Sequence, residues 1–396
     1  MSRIAVLGPV HPLRGGIALH TARWAAALRD VGHEVRVFSF ARQYPSILFP
    51  GTSQFDAGDP VCDLGEPPPE AILDSVGPWT WQAAIRALRD YRPEVLVVQR
   101  WHPFFAPVLS WVARAMRADG VRVVWMVHNA QPHDGPDWLW KPLARLGYAP
   151  EDLCLVHAAS EARALRSLGV AGRIETIEHP APTELEVLSR ESARGTLKME
   201  RDETVFLFFG HVRPYKGVEV FLEALTGLVN DPRPWRAMIV GEWYYDRTAA
   251  NAYVEKEGLI RQVHLVDAFV SEREVAMHFA AANVVVLPYR AGTQSGVVPQ
   301  AFAFGRPVIV SDVGAVAAAV RDGETGLVIP PNDPDALRGA LLEILDGREF
   351  STAAIAESCA AASWQPMVSA VADVTEPEGA ARPRRLRRPG GPRVEA

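Results

Sequence analysis

An α/β fold with two doubly wound parallel sheets is predicted by two features of the 396-residue chain. Short β-branched runs bounded by turn residues alternate with longer amphipathic segments from end to end, the pattern of repeated strand–helix–strand units. The runs also fall into two equal groups, either side of a charged stretch without strand character, 184–202. In the first group the expected strands are Arg3 to Leu7, Glu34 to Phe40, Glu94 to Val98, Val121 to Val127, Leu153 to His157 and Ile174 to Ile177. In the second they are Thr204 to Phe209, Ala237 to Val240, Val263 to Val266, Val284 to Leu287, Pro307 to Ser311 and Gly326 to Ile329. Ser189, Ser192, Gly195 and Lys198 mark the linker, which divides the chain into domains 1–195 and 196–376. Doubly wound sheets bind ligands at the carboxyl ends of their strands, so the site is expected in the cleft between the two domains.

Composition narrows the class of protein. With 48% hydrophobic and 22% charged residues there is ample material for two large cores, which excludes disorder and collagen-like repeats. Three well-separated cysteines, Cys62, Cys154 and Cys359, define neither a disulfide framework nor a zinc motif and read as buried, reduced thiols. A net charge of −6 gives no reason to expect a nucleic-acid partner. The opening MSRIAVLGPV is too short for a signal-peptide core, and no run approaches the roughly 20 apolar residues of a membrane span. The expected location is the cytoplasm. Residues 377–396 hold six Arg, four Pro and two Glu, a charge of +4 that leaves −10 for the rest. Pro and Gly at that density predict a disordered basic tail, for which contact with acidic lipid head groups is the alternative to a solvated end.

Three loops carry the candidate chemistry. The first strand runs into GPVHPLRGGIALH, where Gly15 and Gly16 allow close approach of a ligand to free N–H groups at a helix start. The GxGxxG spacing of dinucleotide folds is absent, which disfavours a nicotinamide-dependent dehydrogenase. The second half opens with VFLFF and then GHVRPYKG from Gly210 to Gly217, which sets Arg213 and Lys216 at a strand end with Pro214 stiffening the loop. Two fixed cations there suit a diphosphate and would stabilise a departing nucleoside diphosphate. The third is LPYRAGTQSGVVPQAFAFGRPVIVSDVG, in which Thr293, Ser295 and Gly296 stand at the start of a helix as a second anion site.

Taken in order, the GG loop with its following GHEV, the strand-end VHN of Val127 to Asn129, GHVRPYKG, the TQSG block and GETGLVIPPND resemble the retaining glycosyltransferases of family 4. The resemblance covers about residues 3 to 346 and implies the GT-B architecture, with an acceptor-binding first domain and a donor-binding second. It implies that Arg213 and Lys216 clamp the donor diphosphate, that Gly15, Gly16 and Gly210 line the phosphate site, and that His128 positions the transferred sugar. Gln294, Val297 and Gln300 join the donor set with Thr293, Ser295 and Gly296, while His11, Arg14 and Asn129 face the acceptor. The family commonly carries two glutamates with seven residues between them before GRPVI, yet Val275 to Ser311 contains no Asp or Glu. Gln300 takes the second position, and a glutamine offers no bidentate carboxylate to a ribose diol. The TQSG form resembles a subset of the family.

No metal is expected. Asp333-Pro334-Asp335 spells a DxD string but precedes the helical ALRGALLEIL, so Asp333 reads as an N-cap and Pro334 as the first helical residue. His11, His128, His133 and His157 show no ligand spacing. Seven of the 11 tryptophans lie between 79 and 140, near the segments that face acceptor in GT-B enzymes; they stack on sugars, meet a bilayer surface, or fill the core. The function expected is metal-independent transfer of a sugar, with retained configuration, from a nucleoside diphosphate sugar to a hydroxyl of a glycan, lipid-linked or small-molecule acceptor, with no cofactor. A nucleotide-sugar epimerase of the same fold and a non-catalytic binding scaffold are the alternatives.

Overall fold

The computed structural model describes residues 1–45, 53–56, 58–130, 137–182, 184–186, 188–292 and 294–375. Thr293, His133 and the basic tail 377–396 lie outside the described residues. The first sheet comprises β1 (Arg3–Leu7), β2 (Glu34–Arg42), β3 (Glu70–Asp74), β4 (Val95–Arg100), β5 (Arg122–Val127), β6 (Leu153–Val156) and β7 (Arg173–Thr176). Its order is β3-β2-β1-β4-β5-β6-β7, and every pairing is parallel. The second comprises β8 (Thr204–Phe209), β9 (Trp235–Val240), β10 (Val263–Val266), β11 (Val284–Leu287), β12 (Val308–Ser311) and β13 (Gly326–Ile329). Its order is β10-β9-β8-β11-β12-β13, again all parallel.

Central strands are buried on both faces, as parallel sheets covered by helices require: β4 and β11 are buried at every position. Strand order reverses between β1 and β4 in the first sheet and between β8 and β11 in the second, which puts a ligand crevice at each switch point. The loops singled out above, GPVHPLRGG after β1 and GHVRPYKG after β8, leave the carboxyl ends at these two points.

Three features differ from the sequence expectation. The first sheet has a seventh strand, β3, read over because it follows three consecutive prolines and is a half-exposed edge with register shifts against β2. The helix Arg190–Thr196 straddles the boundary expected near residue 195, yet its Ala193 is buried in the second domain's core with Phe279 and Ala281. The helix Gln365–Thr375, placed by sequence with the second domain, returns to the first, where Met367, Val368 and Val371 pack beneath Ile4, Val6 and Trp24. Its apolar stripe finds an uncovered sheet face there, and each such side chain contributes about 1.5–3 kcal/mol on burial. Asp333 caps the helix Pro334–Leu345 as read, accepting from Ala336 N at 2.9 Å.

Candidate active site

The two cations expected on the second domain stand together after β8. Residues Pro214–Lys216 form one turn of 3₁₀ helix, closed by Gly217 at φ 71° before the helix Val218–Thr226. A Cβ on Gly217 would lie 2.0 Å from the Pro288 carbonyl oxygen, so only glycine lets this loop lie against the end of β11. Gly210 performs a second service: at φ 103° it leaves the space into which Lys216 Nζ reaches, 3.0 Å from where a Cβ would stand, with Val297 Cγ2 at 3.8 Å.

Aromatic rings hold both cations. Arg213 lies over Tyr244, 4.7 Å from the ring centre, and Lys216 Nζ lies 5.5 Å from the centre of the Tyr289 ring. Loss of solvation lowers the Lys216 pKa to about 8, and the neighbouring Arg213 adds to the fall. His211 stacks on Tyr244 at 4.8 Å, and desolvation, then Lys216, Arg213 and Arg14, push its pKa down to about 3. It is therefore a neutral ring in a cationic corner.

Opposite stands the helix Gly16–Asp30, with Gly15 as its N-cap, no side-chain cap and no acid in its first turn. Gly15 faces His211 across the cleft, where a Cβ would be 4.0 Å from Nε2. The first-domain helix dipole and the second-domain cations thus converge on one place, an arrangement suited to a dianion.

Arg14 was expected to meet the acceptor. It reaches instead across the domains, its Nη2 donating to both carboxylate oxygens of Glu242 at 2.8 and 2.9 Å, and it lies 5.1 Å from the Phe269 ring centre. Arg23 and Glu272 form a second cross-domain pair at 3.4 Å. His11 has Nε2 2.8 Å from Gly58 O and lines a cleft of about 650 Å³ with Val10, Gly15, Asp59, Glu184 and Phe269. Asn129 is half-buried and donates to Trp101 O at 3.3 Å.

His128 sits at the end of β5 with its ring buried and Nε2 2.7 Å from Gln99 Oε1, rather than open to the cleft. Its main-chain carbonyl is what meets the second domain, accepting from Gln294 Nε2 at 2.8 Å. Ser295, read as a phosphate-facing hydroxyl, is engaged locally: Oγ accepts from Val297 N at 3.2 Å and lies 3.2 Å from Tyr289 OH. A seven-residue helix, Val297–Ala303, leaves its first N–H groups in need of acceptors, and Ser295 supplies one. Gly296 adjoins His179, and Gln300 is half-buried on the helix.

Sequence reasoning missed Tyr244, Tyr289, His211 and Glu242, for which only position near a strand end gave a signal. It also missed that His20, His128 and His157 converge, since they are far apart in the chain and follow three different strands.

Two Rossmann-like domains with the candidate anion site between them define the GT-B class. The fold agrees: sucrose-phosphate synthase from Thermosynechococcus elongatus superposes with a TM-score of 0.72 at 20% identity, over 94% of this chain and 98% of that one. HepE from Anabaena, solved in complex with UDP, gives 0.70 at 16% identity, over 94% and 98%. A model described as Glycosyltransferase Family 4 matches residues 14–185, and one described as Glycosyl transferases group 1 matches 203–347. The chain belongs to the GT-B glycosyltransferases of the family 4 type.

Among curated relatives, a D-inositol 3-phosphate glycosyltransferase of Geodermatophilus obscurus is 29% identical over 56% of this chain and 52% of its own length. The chain thus spans about half the length of the first relatives it matches. One from Catenulispora acidiphila is 24% identical over 91% of this chain and 89% of its own. No helix among the described residues is long and apolar enough to cross a membrane.

Proposed function

We propose that the protein transfers a sugar from a nucleoside diphosphate sugar to an acceptor hydroxyl with retention of configuration. The observation that carries this reading is the convergence of Arg213, Lys216 and the uncapped helix start at Gly16 on one place in the cleft. As the bond to the sugar breaks, charge grows on the leaving diphosphate. Two cations preoriented by Tyr244 and Tyr289 meet that charge without reorganising. The acceptor attacks from the leaving-group face, and the departing phosphate oxygen takes its proton, so no enzyme nucleophile is required. His128 acts as a positioning residue: its carbonyl fixes Gln294, and with it the TQSG loop, against the first domain. The Arg14–Glu242 pair holds the closed arrangement that keeps water from the donor.

Arg213 and Lys216 supply the charge for which other sugar transferases use a divalent cation on the diphosphate, so added magnesium is expected to leave turnover unchanged. HepE was solved with UDP-glucose, which makes that the first donor to try. The named relatives act on an inositol phosphate, which places phosphorylated polyols in the acceptor panel beside glycans and lipid-linked sugars. The test is product formation from a panel of nucleotide sugars and these acceptors, followed by anomeric assignment by NMR. A retained glycoside that Lys216→Ala reduces at least a hundredfold supports the reading. An epimerised donor, no product from any pair, or an inverted glycoside refutes it.

A further inference from the structure

Beneath the floor of the cleft the first domain collects histidine rings that glycosyl transfer as proposed does not use. His20 lies on the helix after β1, His128 at the end of β5 and His157 just after β6; all are buried. One ring nitrogen from each lies within 4.8 Å of the others. His20 Nε2 and His157 Nε2 are 3.3 Å apart. That separation equals the edge of a tetrahedron whose metal–nitrogen bonds are about 2.0 Å, and the wider separations, up to 4.8 Å, close to it by side-chain rotation on ligation. A fourth ring, His179 from the segment between the domains, stands 4.6 Å from His157 and 5.7 Å from His20, centre to centre.

The neighbours of these rings are those that orient metal ligands. His157 Nδ1 is 3.0 Å from the Ile177 carbonyl, an atom that can only accept, so Nδ1 carries the proton and Nε2 keeps its lone pair toward His20. His128 donates from Nε2 to Gln99 Oε1, which leaves its Nδ1 lone pair free. A carbonyl or amide oxygen behind the imidazole is the usual support of a ligating histidine. His20 keeps Nδ1 buried without a hydrogen-bond partner. Without a metal, His20 Nε2–H donates to the His157 Nε2 lone pair; on ligation His20 carries its proton on Nδ1 and offers Nε2 to the ion.

We propose that His20, His128 and His157 bind one zinc-class divalent ion, with the His179 ring packed beside the cluster. An all-imidazole set with no carboxylate suits zinc, cobalt or nickel and disfavours magnesium and calcium. The ion ties the helix after β1 to the ends of β5 and β6. Because Gln294 bonds to the His128 carbonyl and His179 abuts Gly296, the ion sets the floor on which the TQSG loop rests.

The test is titration of tag-free, chelator-treated full-length protein with Co(II), read by visible absorption, and with Zn(II) by competition. One equivalent per chain with the intense bands of a tetrahedral site is expected. Gln99→Ala, which removes a supporting contact and no ligand, is expected to weaken binding 10- to 100-fold, and His157→Gln by more. Substitution by Gln of the half-buried His33, which lies outside the cluster, is expected to leave it unchanged. Binding below half an equivalent, octahedral spectra, or an affinity untouched by both Gln99→Ala and His157→Gln overturns the proposal. Should His157→Gln fail to fold, the wild-type spectrum and Gln99→Ala decide. The readout needs no turnover, so a failure of the transferase reading leaves it intact.

Discussion

Donor binding is expected to depend on pH through one side chain, Lys216. Its ammonium is stripped of water in the cleft and stands beside Arg213, which holds its pKa near 8. A diphosphate bound to the ammonium restores the lost charge interactions and raises that pKa. The sign follows from linkage: the bound form holds a proton that the free form loses above pH 8, so affinity falls as pH rises. Between pH 7 and 9 the charged fraction drops from about nine-tenths to about one-tenth, a loss of about tenfold in affinity or about 1.4 kcal/mol. His211 does not contribute, because its pKa of about 3 keeps it neutral throughout. A nucleotide sugar serves as ligand because its esterified phosphates have no proton to lose in this range. Calorimetric titration at constant ionic strength measures the slope, and Lys216→Gln is expected to bind weakly with none. A wild-type affinity flat within twofold from pH 7 to 9, or a slope that survives in Lys216→Gln, refutes the reasoning. In the absence of ligand the sign reverses. The unfolded chain holds the Lys216 proton up to about pH 10.4, so this group's share of stability rises between about pH 8 and 10.4.

Two further outcomes test the geometry. Gly217→Ala places a methyl group 2.0 Å from Pro288 O in a left-handed conformation, and is expected to cost about 2 kcal/mol or more. Calorimetry should show Tm lower by about 4–8 °C, with loss of nucleotide binding; an unchanged Tm would show that the loop does not lie against β11. For Arg14 and Glu242, a double-mutant cycle of alanine substitutions read by thermal unfolding is expected to show about 1–3 kcal/mol of coupling. Additivity within about 0.5 kcal/mol would mean that the domains do not close on this pair in solution.

Much of the fold was legible because its signals are local. Short β-branched runs, spaced by amphipathic helices, marked every strand except β3, a half-exposed edge strand. The anion loops were legible for the same reason: Gly15, Gly210 and Gly217 meet steric demands made by their own turns, and Arg213 and Lys216 follow β8 directly. Asp333 disclosed its cap through the proline after it.

What tertiary structure alone decided lies between segments far apart in the chain. No pattern near Arg14 indicates that its partner is Glu242, 228 residues away, or that Gln294 bonds to the carbonyl of His128, 166 residues back. The final helix offers an apolar stripe, and only the uncovered face of the first sheet determines that it returns there. His20, His128 and His157 lie on three separate segments of the chain. They meet because parallel strands bring the loops at their carboxyl ends to one edge of the sheet, a convergence that strand order sets and local sequence does not encode.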